Sequence, residues 1–505
     1  MAMISISEAS KKWGISCRRI QVLCSQGRIP GAEQIGSYWS IPDNAAKPVD
    51  MRKTVYSKTE KLPEHTFTSI DLFSGPGGLA TGFRWAGIKA LIAVEWSYWT
   101  VQTYSKSQGA EIFNLEDYLS KKMDHPERYF QPSDKTLLIY GDINKVEVSL
   151  IKKILKQRFN KTSVDIVTGG APCESFSMNG DRKENDDRNF LYQNVLRIAR
   201  GVDSKMFLFE NVKGLLSKKL DGVEGAMYQH ILDEFESDKP GLPSFRLASR
   251  DKDTVLLHAV DYGVPQARER LILIGLNKKY PNLSFKYPVK THGEGKTYPF
   301  VSVKEAIGDL PKIEMGIEDN YYNFDLNSVT DPCQMNYLRR IRGDLSMPPE
   351  GSSFGPHTLY NNKAPGHTKK MYERICLIKQ GEGMDDAYNR LIKEGKKALV
   401  DECFPKKIYM SRNRRLVPDK PSFTVTSHCL DEMIHPYLNR GMTPREVARL
   451  QSFPDWYQFQ GPYVKFHSDP EQDLYEQIGD AIPPLLGLAV GSEVTETLRQ
   501  FEEAK

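Results

Sequence analysis

From Phe67 onward, short apolar runs alternate with longer stretches of mixed polarity: "FTSIDLF", "KALIAVEW", "KTLLIYGDI", "VDIVTGG", "KMFLFENV", "TVLLHAVDYG" and "RLILIGL". Runs that are apolar at nearly every position, rather than at alternate ones, predict strands buried on both faces, and the intervals between them leave room for helices. The expected fold is α/β, with a doubly wound, mostly parallel sheet over residues 67–279. Beyond about Asn277 the rhythm stops. Residues 280–430 are rich in Pro, Gly, Arg and Tyr and read as a smaller, irregular domain. Residues 431–470 form a hinge carrying "TPREVARLQSFPD", where Val447, Leu450 and Phe453 stand near helical spacing and predict an amphipathic helix that organises the smaller domain. Residues 471–505, with "YEQIGDAIPPLLGLAVG", are expected to return to the large domain and pack beside its first strand.

Residues 1–43 follow a different pattern. Ser7 is placed to cap a helix from Glu8 to Trp13, "GIS" makes a turn, and a second helix runs from about Cys17 to Gln26 and closes at Gly27. "AEQIGSYWSIP" alternates about a Gly-Ser pair, as a hairpin does. The unit resembles winged helix-turn-helix modules of the excisionase and MerR type, which implies DNA binding through Arg18 and Arg19. A small protein-interaction module is the alternative. Residues 44–66 are polar and basic without a period and read as a linker.

Composition narrows the class. A chain of 505 residues exceeds one ordinary core, and 39% hydrophobic with 27% charged residues suits a soluble globular protein. No apolar run approaches the roughly 18 residues of a membrane span, and the N-terminus turns polar too soon for a signal peptide. Seven cysteines, odd in number and without a CxxC pair, indicate neither a disulfide framework nor a zinc site. A cytoplasmic protein without a metal is expected. The net charge of +4 is too small to establish a polyanionic partner.

The candidate chemistry lies at the strand ends. "DLFSGPGGLATGF" sets Gly75, Gly77 and Ala80 in the G-x-G-x-x-G/A spacing, with acidic Glu95 about twenty residues on. A nicotinamide-dependent oxidoreductase would show the same spacing. Asp71 at that turn argues otherwise, because it would repel a pyrophosphate but suit the cationic sulfonium and ammonium of S-adenosylmethionine. Glu95 would then hold the ribose hydroxyls, Trp96 would face the adenine, and Asp142 of "YGDI" would accept from the adenine amine or merely cap the next helix. In a doubly wound sheet Cys173 of "GGAPCESFS", Glu210 of "FENVKGL" and Asp142 converge on one edge. Arg268 and Arg270 of "QARER" add an anion clamp or a donor fork.

In order along residues 67 to about 500, "DLFSGPGG", "VEW", "GDI", "PCESFS", "DDRNFLY", "FENVKGL", "QARER", "TPREVARLQSFPDWYQFQG" and "YEQIGDAIPPLLGLAVG" resemble the motifs of the DNA (cytosine-5) methyltransferases. The resemblance implies methyl transfer from S-adenosylmethionine to C5 of a cytosine flipped out of duplex DNA. It implies that the Cys173 thiolate adds at C6, that Glu210 protonates N3, and that Arg270 donates to O2. It also places Arg268 at a neighbouring phosphate and the Ala171 carbonyl at the exocyclic amine. Phe73, Asp71, Gly75, Gly77, Glu95, Trp96, Asp142 and Ile143 are the implied cofactor residues.

The sequence departs from the family pattern at Ala171 and Glu174, where Pro and Gln are usual, and at Asp480, where Asn is usual. None of these removes a catalytic atom. Residues 280–430 are the expected target-recognition region, with basic clusters at Arg339, Arg340 and Arg342, at Lys369 and Lys370, and at Arg412, Arg414 and Arg415. A restriction-modification role is implied, with a cognate endonuclease acting separately, a monomeric catalytic unit, and dimerisation of the N-terminal unit on operator DNA. Two other readings stand beside this one: an NAD(P)-dependent oxidoreductase, and a catalytically silent DNA-binding regulator.

Overall fold

The computed structural model describes residues 3–25, 29–36, 38–45, 47, 67–171, 190–323, 325–349, 352, 354–465 and 471–504. Two compact units emerge, Met1–Glu60 and Lys61–Lys505. In the first, β1 (Met3–Ser5), β2 (Glu33–Ile35) and β3 (Tyr38–Pro42) form an antiparallel sheet in the order β1-β3-β2, beside helices Ile6–Trp13 and Cys17–Ser25. The first helix begins two residues earlier than the sequence suggested. Ser5, not Ser7, caps it, because its hydroxyl takes the Glu8 N–H while the Glu8 carboxylate takes the Ser5 N–H at 2.7 Å. Gly14, at φ 65°, ends it as expected. Ala9, Trp13, Ile20, Leu23, Cys24, Ile29 and Ile41 close a small core. The expected helix end at Gly27 falls outside the described residues.

The second unit is built on β4 (Phe67–Leu72), β5 (Ile88–Glu95), β6 (Glu111–Asn114), β7 (Leu137–Tyr140), β8 (Ile166–Gly169), β9 (Met206–Val212), β10 (Phe245–Leu247), β11 (Leu256–His258), β12 (Gln266–Ala267) and β13 (Glu269–Asn277). The large sheet has the order β10-β13-β9-β8-β4-β5-β7-β6, with β11 also on β13. The six strands from β9 to β6 are parallel, and β13 is reversed against β9. Burial on both faces is visible in β9: Met206 and Leu208 enter one core cluster, Phe207 and Phe209 another. Short β6 and β10 had no clear signal in the pattern. "TVLLHAVDYG" yields only the three residues of β11, because the chain turns at Ala259–Tyr262.

The division at residues 280 and 430 is not a division of the core. One cluster joins Phe67, Leu208 and Ile274 of the sheet to Val301, Tyr322, Tyr337, Leu359, Val447 and Leu498. A separate small core is built from buried residues between Ile375 and Phe404, with Ile434. The helix Pro444–Leu450 is seven residues long and buried at every position, so it is not amphipathic, and Phe453 lies beyond its end. Buried arginines make this possible. Arg449 clasps Asp455 at 2.7 and 2.9 Å and Asp309 at 2.7 Å, and Arg440 clasps Glu446 at 2.7 and 2.9 Å. The C-terminal helix Pro484–Glu503 packs against helix Gly78–Trp85 rather than beside the first strand. The approach is close enough that a Cβ at Gly82 would collide with the backbone of Pro484 and Leu488.

Candidate active site

The chain reverses its direction of winding at β4, which lies between β5 and β8, and ligand crevices open outside the strand ends at such a point. The turn leaving β4 has positive φ at Phe73 (53°), Gly75 (54°) and Gly77 (98°). The left-handed region is strained for a bulky side chain such as Phe73, and strain of this kind concentrates at functional turns. The C-terminal segment supports the turn from behind. The Tyr457 hydroxyl donates to the Pro76 carbonyl, and a Cβ at Gly77 would lie 2.6 Å from the same hydroxyl. A Cβ at Gly78 would strike the Ile482 carbonyl, so only glycine permits this docking.

Glu95 ends β5, 7% exposed. Its Oε2 accepts the Gly75 N–H at 2.9 Å, and its Oε1 accepts the N–H groups of Trp96 (2.9 Å) and Ser97 (3.0 Å). Burial pushes its pKa up, against the downward pull of these three donors. The Trp96 side chain is exposed beside it, and Asp142, at the end of neighbouring β7, is also exposed. Asp142 does cap the next turn, accepting from the Asn144 N–H at 2.9 Å, while Ile143 is buried. Phe73, Glu95, Trp96, Asp142 and Ile143 thus follow the ends of β4, β5 and β7, which are adjacent strands. A carboxylate for a diol, an open indole face and a second carboxylate suit an adenosine-bearing cofactor.

Asp71 differs from expectation. It sits beneath the turn, 2% exposed, accepting from the Thr168 hydroxyl at 2.9 Å, with Oδ2 buried and unpartnered among the described residues. It does not present charge to a ligand. Burial raises its pKa to about 7.

On the other side of β4, β8 ends at Gly169, paired with Leu72 and Phe209, so Gly170 and Ala171 leave between β4 and β9. Cys173 and Glu174 lie outside the described residues. Glu210 of β9 and Arg270 of β13 meet at this exit, with Arg270 Nε 2.7 Å from Glu210 Oε1, and both are at most 9% exposed. A Cβ at Gly170 would lie 2.7 Å from Glu210 Oε2, so the carboxylate reaches the backbone leading to Cys173. Burial raises the Glu210 pKa, and Arg270 and then Arg268 draw it back down. The Ala171 carbonyl accepts from Asn211 Nδ2 at 3.4 Å.

Arg268 is 1% exposed and corrects the phosphate contact expected of it. Its guanidinium donates to the carbonyls of Val425 (2.6 Å), Gly479 (2.8 Å) and Ala481 (3.0 Å), holding the C-terminal segment. Gln266 does similar work on Leu450, Gln451 and Val425. Two of the basic clusters are likewise largely internal. Arg339 is paired with Asp344 and Arg342 with Asp455, while Arg415 donates to the carbonyls of Ile375, Ile378, His435 and Leu438. Arg340 and Arg414 lie over the rings of Trp85 and Phe423. Lys369, Lys370 and Arg412 are exposed. Asp480 is exposed and accepts from Gln472 at 2.7 Å. Sequence reasoning missed Tyr457, Gly78 and Gln266 as site supports, although each lies within or beside a quoted motif. Among the described residues no helix is long and apolar enough to cross a membrane, and no group of His, Cys, Asp or Glu forms a metal cluster.

A parallel sheet with one reversed strand, a glycine turn after β4 and an acid ending β5 are features that nucleotide-cofactor transferases and oxidoreductases share. The comparisons decide between them. The family model for C-5 cytosine-specific DNA methylase matches residues 67–496. The chain is 31% identical over 427 residues to the type II methyltransferase M.DdeI of Desulfomicrobium norvegicum, covering 84% of this chain and 88% of that protein. It is 28% identical over 448 residues to the type II methyltransferase M.XorII of Xanthomonas oryzae pv. oryzae, covering 86% of each. A solved structure described as a prophage-encoded DNA modification methyltransferase (E. coli) shares the fold at a TM-score of 0.60 and 23% identity, over 86% of this chain and 100% of that one. The chain belongs to the DNA (cytosine-5) methyltransferase family, and its activity is methyl transfer to cytosine C5 in DNA. The oxidoreductase and silent-regulator readings find no support.

Proposed function

We propose that the protein methylates one specific duplex DNA sequence, with Cys173 as nucleophile and S-adenosylmethionine held along Phe73, Glu95, Trp96, Asp142 and Ile143. The observation that carries this reading is the meeting of Glu210 and Arg270 against Gly170, at the exit of the strand that leads into "APCES". Cytosine C5 is a poor nucleophile. Addition of the Cys173 thiolate at C6 moves electron density onto C5 and builds negative charge toward N3 and O2. Glu210, whose pKa burial raises against the pull of Arg270 and Arg268, delivers a proton to N3, and Arg270 stabilises the charge at O2. When bound, S-adenosylmethionine supplies the electrophilic methyl group. Transfer of the C5 proton to a base, return of the N3 proton to Glu210 and expulsion of the thiolate then restore aromaticity.

Arg268 acts as a structural clamp in this reading, because both terminal nitrogens of its guanidinium donate to backbone carbonyls. Target recognition is assigned to residues 280–430, through the exposed groups of that region rather than its buried arginines. The names of the type II relatives support a place in a restriction-modification system, with an endonuclease acting as a separate protein. The N-terminal unit, with Arg18 exposed on its second helix, is assigned to a second DNA site.

The test is Cys173→Ala together with trapping. The variant should lose methyl transfer and keep specific DNA binding. Duplex DNA carrying 5-fluorocytosine at the target should become covalently attached to the unmutated protein, since fluorine cannot leave as a cation. Methyl transfer surviving in Cys173→Ala would end the mechanism.

A further inference from the structure

The turn that carries Glu95 and Trp96 opens the eleven-residue helix Tyr98–Gln108, whose first N–H groups have no partners within the helix. Its cap residue Ser97 does not satisfy them, since the Ser97 side chain makes no capping bond. A carboxylate from far along the chain takes the first of them instead. Glu471 Oε2 accepts the Tyr98 N–H at 2.6 Å and the Ser97 hydroxyl at 2.9 Å. Negative charge is favoured at a helix N-terminus, so the contact is both geometric and electrostatic. It begins a row along one side of the helix: Thr100 donates to Gln472 at 2.9 Å and Thr103 to Gln477 at 2.6 Å.

The turn is therefore shared between two carboxylates. Glu95 takes the N–H groups of Trp96 and Ser97, and Glu471 takes that of Tyr98. Without Glu471, the Tyr98 N–H loses its acceptor, at a turn whose preceding two N–H groups Glu95 holds. Any movement of Glu95 toward it loosens the Gly75 N–H, which Glu95 also holds, and with it the glycine turn.

We propose that Glu471 is a positioning residue of the cofactor site: it fixes the Trp96–Tyr98 turn, and so the carboxylate and indole that receive S-adenosylmethionine, without touching the cofactor itself. The proposal rests on the assignment of Glu95 and Trp96 to the cofactor. Glu471→Ala in the full chain should raise KM for S-adenosylmethionine about tenfold, the scale of a lost hydrogen bond to a charged group. The value of kcat at saturating cofactor and the affinity for target DNA should not change. Glu471→Gln keeps an accepting oxygen in place and should restore KM to within about twofold of the unmutated protein, on the same reasoning. An unchanged KM in Glu471→Ala overturns the proposal, provided Glu95→Ala raises it. A rise that Gln fails to rescue, or one accompanied by falls in kcat and DNA affinity, marks general loss of structure and also overturns it. An unchanged KM in Glu95→Ala would instead remove the cofactor assignment itself.

Discussion

The Nε of Arg270 lies 2.7 Å from Oε1 of Glu210, on two antiparallel strands whose register pairs Arg270 with Val212 and Ile272 with Glu210. The pair is nearly dry, and the two influences on the carboxyl oppose one another. Burial favours the protonated form, while the guanidinium favours the ionised one. Glu210→Gln keeps the size and removes the acid, so kcat for methyl transfer should fall by about 10²–10⁴-fold with a much smaller change in DNA affinity. Single-turnover methyl transfer beside a binding assay checks this. A loss of less than tenfold would transfer the proton-donor role elsewhere.

Asp71 makes a prediction about stability. Its folded pKa of about 7 lies above the ordinary 3.8, so as pH rises between these values the unfolded chain releases a proton that the native protein retains. Stability attributable to this residue is therefore lost across that window, by an amount on the order of 4 kcal/mol. Asp71→Asn should flatten the decline and stabilise the protein at pH 8 relative to pH 4.5. Thermal midpoints of both proteins at the two pH values test this, and parallel behaviour would mean that Asp71 does not titrate in the interior.

Asp455 works in the opposite sense. Arg449, Arg342 and Arg445 surround it and hold its pKa down to about 2, although burial alone would raise it. Its contribution is present above the ordinary carboxylate range and is lost as pH falls toward 2. Asp455→Asn leaves buried guanidinium groups uncompensated and should cost about 3–5 kcal/mol, read as a shift in the urea midpoint at pH 7. A change below 1 kcal/mol, within the range of a surface pair, would show that solvent reaches this site.

The parallel sheet and the glycine turn were legible because strands buried on both faces leave continuous apolar runs, and because a tight turn after β4 demands glycine. The placing of Glu210 near a strand end followed from the rule that parallel strands end on one edge, whereas Arg270 meets it because β13 runs antiparallel to β9 and begins where β9 ends. The fates of Arg268, Arg339, Arg342 and Arg415 were not legible. An arginine that donates to buried carbonyls has the same letter as one that meets a phosphate, and its partners here lie up to 213 residues away, as with Arg268 and Ala481. The helix Pro444–Leu450 was misread for a related reason. Its charged positions look solvent-facing until Asp309, Asp455 and Arg440 are brought against them by tertiary packing. Asp71 was read as a charge presented at the turn, whereas it is buried beneath the turn against Thr168, and burial of that kind cannot be read from one residue.

The N-terminal unit supports the last prediction. The family match begins at Phe67, and residues 1–66 lie outside it. The unit Met1–Glu60 has its own core around Trp13, Leu23 and Ile41, and its helix Ile6–Trp13 is capped at both ends from within. Deletion of residues 1–60 should therefore leave a folded protein with unchanged methyl transfer. The second helix, Cys17–Ser25, carries exposed Arg18 and half-buried Arg19, and β2–β3 form a hairpin in the same unit. A unit of this size offers few phosphate contacts, so a single copy should bind DNA weakly and lose affinity steeply with salt, and useful affinity requires two copies on repeated half-sites. Footprinting of the full chain on DNA upstream of its own reading frame should show a protected site, distinct from the methylated sequence, that disappears on truncation and in Arg18→Ala. Identical footprints before and after truncation would remove the regulatory role. Loss of methylation on truncation would assign the unit to substrate binding or to folding of the catalytic region.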